Sequence, residues 1–122
     1  MKFLLIMQVN PAAMDALTDA ERNSIMDGHG EFMKVTQESG EFIATQALAD
    51  PANSVTVRGT GDVPAVTDGP FLEAKEFMGG YYLVDVESAE RAVELAKLIP
   101  DTRFNGFAIE IRAVMFEAGF DM

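Results

Sequence analysis

The stretch Thr67-Asp68-Gly69-Pro70-Phe71-Leu72-Glu73-Ala74-Lys75-Glu76, with Gly79-Gly80-Tyr81-Tyr82-Leu83-Val84-Asp85-Val86 close behind it, runs from a turn into a strand. Asp68 can bond to its own downstream backbone, and Gly69 supplies torsions that other residues avoid. Pro70 keeps Gly69 out of the helical region. Paired glycines at a strand entry mark a bulge or a close backbone approach. The aromatic and β-branched run from Tyr81 to Val86 is strand-forming.

Outward from this centre the pattern alternates between strands and helices. After the Tyr81–Val86 strand, Ser88 is placed to cap a helix, with Glu90 near its positive end and Pro100 as its stop. Ala89, Ala92, Val93, Ala96 and Ile99 form its expected inner stripe, with Leu95 and Leu98 alongside. Residues 107–114 supply a last strand, with Phe107, Ile109 and Ile111 inward and Glu110 and Arg112 outward. Before the centre, residues 54–58 and 63–67 make a hairpin plausible across Gly59-Thr60-Gly61-Asp62. Residues 41–49 read as a further strand.

Earlier still, Thr18-Asp19-Ala20-Glu21 has capping-box spacing. The helix it opens should run to about Ser39 and stop at Gly40. Ile25, His29, Phe32, Met33 and Thr36 form its inward stripe, at steps of three and four. Gly28 and Gly30 weaken it. Residues 2–9 are a short apolar run, read as a strand buried on both faces. The order β-α-β-β(β)-β-α-β predicts an α+β, ferredoxin-like (split βαβ) domain spanning residues 1–122. Both helices would then cover one face of the sheet. The other face asks for a partner, and a homodimer with sheets face to face would supply it.

The composition narrows the function classes. With 9 basic and 20 acidic residues the net charge is -11. Residues 1–61 carry 4 basic and 8 acidic side chains, and residues 62–122 carry 5 and 12, so the excess is spread along the chain. An acidic surface repels phosphate backbones and anionic membranes, so neither nucleic acid nor membrane is expected as a partner. There is no cysteine, which removes disulfides, thiolate nucleophiles and Cys-based zinc sites and fits a cytoplasmic protein. The apolar run from Phe3 to Met7 is too short for a signal peptide, and no small-residue cleavage site follows it.

The central segment resembles the signature of the YCII-related (DGPF) family: Asp68-Gly69-Pro70-Phe71-x-Glu73-x-Lys75-Glu76, then Gly79-Gly80-Tyr81-Tyr82. The likeness extends from Met1-Lys2-Phe3-Leu4-Leu5 through Leu48, Pro51 and Val57-Arg58, and on to Pro100, Gly106 and Ile109-Glu110-Ile111-Arg112. The resemblance implies a ferredoxin-like fold in a dimeric α+β barrel, with a cleft as the active site. It also implies a His paired with an Asp there, which suggests an enzyme acting on an unidentified small molecule. Asp68 matches the motif aspartate, and His29 sits where a first-helix histidine would fall.

His29 is the only histidine, and imidazole is the side chain suited to acid–base work near neutral pH. A carboxylate such as Asp68 could orient it. The plainer readings are a buried His satisfied by one hydrogen bond and an Asp68 that only shapes a turn. Glu73, Lys75 and Tyr81 are weaker candidates for ligand contact. For Glu73 and Lys75 the plain alternative is an exposed ion pair bracing the turn, worth under about 1 kcal/mol. One His and no Cys leave no expected metal site, and no Asp/Glu grouping matches a calcium loop. No phosphate-binding glycine loop or dinucleotide fingerprint appears, so no cofactor is expected. Whether the chain is an enzyme or a non-catalytic metabolite-binding or regulatory dimer is left open by these residues.

Overall fold

The computed structural model describes residues 1–71 and 76–119. Four strands form an antiparallel sheet in the order β2-β5-β1-β6: β1 (Lys2–Val9), β2 (Phe42–Ala47), β5 (Phe77–Asp85) and β6 (Phe107–Ala113). β3 (Val55–Arg58) and β4 (Ala65–Asp68) pair only with each other, as a hairpin that falls between β2 and β5 in chain order. The helices are α1 (Pro11–Asp15), α2 (Asp19–Glu38) and α3 (Ala89–Leu98). This is the ferredoxin-like α+β arrangement expected from the order of elements.

β1 lies between two partners because it is apolar on both faces: Phe3 and Leu5 point one way, Ile6 the other, and all are buried. Phe3 and Leu5 join Tyr82, Val84, Phe32, Ala92, Leu95 and Ile99 in the main core, so both long helices cover that face. The register slips between Met7 and Gln8, because β5 carries Gly79 as an extra residue there. A Cβ on Gly79 would come within 2.7 Å of Val9, and one on Gly80 within 2.6 Å of the Gln46 carbonyl. The glycine pair therefore marks both a bulge and a close approach.

Both halves of the capping box form at α2: the Glu21 amide donates to Thr18 Oγ1, and the Thr18 amide donates to Glu21 Oε1. Gly40 ends the helix at φ +78°. α1 was not foreseen, although Asn10 caps it by accepting from Ala12 and Ala13 and Pro11 occupies its first turn. α3 turns its Ala92, Leu95 and Ala96 inward, while Ala89, Val93 and Leu98 are exposed. Of the expected stripe Ala92, Ala96 and Ile99 are buried, with Leu95 beside them, and only its Ala89 and Val93 margin faces out. Apolar residues surround so much of this short helix that periodicity alone leaves its phase open, and contact with β1 and β6 chooses it.

The second face of the sheet is mixed rather than bare. Ile6 and Leu83 at its centre are buried. Beside them Tyr81 donates to Gln46 Oε1, and Gln8 donates to Glu110 Oε1. Large exposed apolar side chains lie elsewhere, among them Val55, Val57, Val63 and Val66 on the hairpin, Phe71 after it, and Met115 and Phe116 beyond β6. Among the described residues no helix is long and apolar enough to cross a membrane.

Candidate active site

α2 carries His29 on the stripe that also holds Phe32 and Thr36, whose side chains are buried in the interior. His29 itself lies at the margin, with its side chain 20% exposed. Two groups from distant parts of the chain meet it. Asp101 Oδ1 lies 2.8 Å from Nε2, and the Tyr82 hydroxyl lies 2.6 Å from Nδ1.

Asp101 comes from a 3₁₀ turn, Pro100–Arg103, that starts where α3 ends. Ile99 and Pro100 before it are fully buried, and Thr102 Oγ1 donates back to the Ile99 carbonyl at 2.8 Å. The turn thereby anchors an aspartate whose side chain is only 8% exposed. A buried carboxylate is costly unless it is paired, and among the described residues its ion-pair partner is His29.

Tyr82 comes from β5, the neighbour of β1, and is itself 2% exposed. Its ring lies 4.5 Å from that of Phe32 and meets Phe42 edge-on at 6.4 Å. Burial first, and the negative charge of Asp101 second, push its hydroxyl up to about 12. Tyr82 therefore keeps its proton across the physiological range.

These partners define the hydrogen-bonding roles. An ionised carboxylate only accepts, so Nε2 carries the proton that bonds Asp101. In neutral His29, Nδ1 then holds the lone pair and accepts from the Tyr82 hydroxyl. When His29 is protonated both nitrogens donate, and the Tyr82 oxygen becomes the acceptor. Asp101 thus orients the imidazole. The arrangement suits proton transfer at a small acidic group, provided that group reaches Nδ1 in place of Tyr82.

The sequence candidates fall differently. His29 forms no hydrogen bond with Asp68. Asp68 instead ends β4, exposed, in backbone register with Val55 on the separate hairpin. The carboxylate on His29 is Asp101, because the hairpin stands apart from the four-stranded sheet on which α2 packs. The turn after Asp68 braces the hairpin: the Gly69 amide donates to Ser54 O, Thr56 Oγ1 donates to Gly69 O, and Gly69 has φ +94°. Tyr81 points to the opposite face from Tyr82 and bonds Gln46. Glu73 and Lys75 lie outside the described residues. Among the described residues no three His, Asp or Glu side chains gather to hold a metal ion. Two surface grooves, of about 450 and 310 Å³, are lined by neither His29, Asp101 nor Tyr82.

Sequence reasoning passed over Asp101, and it placed Tyr81 and Tyr82 on opposite faces of the strand, one packing inward and the other free to line a cleft, with no link from Tyr82 to His29. The available signal was an acid in a Pro-Asp-Thr turn directly after the apolar Ile99, where a buried carboxylate would need the single histidine.

Comparison with known proteins extends this picture. The family described as the YCII-related domain matches residues 1–116. An uncharacterized protein of Rhizobium meliloti (strain 1021) is 29% identical over 75 residues. That match covers 62% of this chain and 60% of the relative's length. Among solved structures, 5-chloro-2-hydroxyhydroquinone dehydrochlorinase (TftG) from Burkholderia phenoliruptrix AC1100, in complex with 2,5-dihydroxybenzoquinone, superimposes with a TM-score of 0.51. It is 14% identical, over 98% of this chain and 96% of that one. At that identity the likeness is one of fold.

Proposed function

Since the chain belongs to the YCII-related domain family, we propose that it is a small-molecule acid–base enzyme in which the Asp101–His29 pair moves a proton. The observation that carries this reading is the 2.8 Å contact between His29 Nε2 and a carboxylate with almost no access to water. The part that the sequence motif suggested for Asp68 passes to Asp101 in this proposal.

The step is a simple one. The substrate's acidic O–H or C–H approaches Nδ1, the Tyr82 hydroxyl gives way, and Nδ1 takes the proton. The substrate becomes an anion, and the imidazolium is held by Asp101 until it returns the proton to product or solvent. The dehydrochlorinase that shares the fold was solved with a dihydroxyquinone, which makes hydroxylated aromatic and quinone rings the first class to try. Such rings carry acidic hydroxyls of the kind that Tyr82, a phenol itself, already presents to Nδ1.

The test begins with a thermal-shift screen over hydroxyquinones and other small acids, since a ligand bound only by the native state raises its stability. Each binder is then incubated in heavy water, and exchange of its carbon-bound hydrogens is followed by NMR. For a carbon acid that turns over, His29→Ala should slow exchange roughly 10²–10⁴-fold. Unchanged exchange in His29→Ala would end the proposal.

A second reading is a non-catalytic metabolite-binding or regulatory protein. The observation favouring it is that both ring nitrogens of His29 already have partners. It predicts binders without exchange, and nearly unchanged affinity in His29→Ala. Under either reading we take the chain to act as a homodimer.

A further inference from the structure

Two glycines flank His29 in the middle of α2, and glycine is a poor helix former at both positions. Their surroundings differ. A Cβ on Gly30 would meet nothing within 4 Å. A Cβ on Gly28 would lie 2.7 Å from Cβ and 2.8 Å from Cγ of Pro100. Pro100 is fully buried and its ring is rigid, so nothing there can yield by a rotamer change. The helix backbone and the proline ring touch at a point where only glycine fits.

Each member of this contact directly precedes one member of the pair, Gly28 before His29 and Pro100 before Asp101. We propose that Gly28 is a positioning residue: the missing side chain lets the Pro100 ring seat on α2, and that seat sets the Nε2–Oδ1 distance. The magnitudes support this. Carbon atoms pack at roughly 3.5–4.0 Å, so a methyl group at Gly28 would drive helix and turn apart by about 1 Å. Adding about 1 Å to a contact of 2.8 Å takes it beyond hydrogen-bonding distance. Thr102 and the end of α3 hold the turn to its own helix, whereas the Gly28–Pro100 contact holds it to the helix that carries His29. The significance for catalysis rests on the proton-transfer reading above, while the geometry does not.

Because His29 is the only histidine, its ¹⁵N and ring-proton NMR signals can be read without ambiguity. The native protein should show the Nε2–H tautomer with a hydrogen-bonded proton. In Gly28→Ala that proton signal should be lost and the ¹⁵N shifts should move toward a tautomer mixture. Gly30→Ala is the control: the His29 signals stay put and Tm rises by a few degrees. Gly28→Ala combined with Pro100→Gly should recover the native signals at least in part, because the new methyl fills the space the ring leaves. A folded Gly28→Ala with native His29 signals overturns the proposal. Should Gly28→Ala not fold, Pro100→Gly alone decides: the seat is gone, so the signals must broaden or shift, and native signals overturn the proposal. A Gly28→Ala that loses the bond yet keeps full exchange activity would count against the catalytic reading and leave this one standing.

Discussion

Tyr82 combines two physical effects in one hydroxyl. Burial and the nearby Asp101 carboxylate raise it from the ordinary 10.0 to about 12, while its proton is donated to His29. A group whose folded-state pKa is raised contributes stability that is complete below the unfolded value and is lost as pH rises through the folded one. Alkaline destabilisation should therefore contain a component between about pH 10 and 12. Tyr82→Phe should remove that component, together with the late phase of tyrosinate absorbance, and a shared alkaline profile would contradict the assignment. At neutral pH the same variant leaves Nδ1 without its donor and should cost about 1 kcal/mol in urea unfolding. Asp101→Asn tests the opposite nitrogen. It keeps the shape but exchanges a charged acceptor for an amide, so His29 should lose its preference for the Nε2–H tautomer in NMR.

At the scale of elements, the termini of α2 and the edge strand β2 carry measurable terms. Thr18→Ala opens the capping box and should destabilise the fold by about 1 kcal/mol in thermal or urea unfolding. Glu41 leads into β2, and Arg91 of α3 grips it through Nε and Nη2, both at 2.9 Å. Those hydrogen bonds hold the Glu41 carboxyl below the usual range and the Arg91 guanidinium above its own, against an opposing effect of burial on each. For a depressed carboxyl the stabilisation is present above its unfolded pKa and is lost as pH falls through the folded value. Glu41→Gln should thus be less stable than the native protein at neutral pH, and the two should converge in acid. A constant difference across the titration would assign Glu41 a packing role instead.

For the whole molecule the question is what covers the exposed apolar side chains. Met115 is 98% and Phe116 81% exposed, and the hairpin adds Val57 and Val66 at 66% each. Contiguous exposed apolar surface marks a contact site, and these side chains are the candidates for one. We expect a homodimer in light scattering, and Phe116→Asp should shift it toward monomer. With a net charge of -11 on each copy, self-repulsion opposes pairing, so added salt should tighten it. A protein that stays monomeric at high salt would leave these side chains in need of another account.

What the residues determined by themselves is the local grammar and the family. The Thr18–Glu21 box, the Gly40 stop, the Ser88 cap and the Gly79-Gly80 bulge all depend on bonds or contacts that a short stretch can specify. The apolar β1 run announced its central place in the same way, and the Asp68–Tyr82 signature named the family. Tertiary structure alone decided which carboxylate meets His29. Asp101 lies 72 residues away in a turn with no pattern of its own, the turn after α3 whose Pro100 lies against Gly28 of α2. Which margin of the α3 stripe faces out, and the separation of the hairpin from the main sheet, were decided in the same way. Each is set by packing between elements, where many weak contacts sum to one arrangement that no single stretch of sequence encodes.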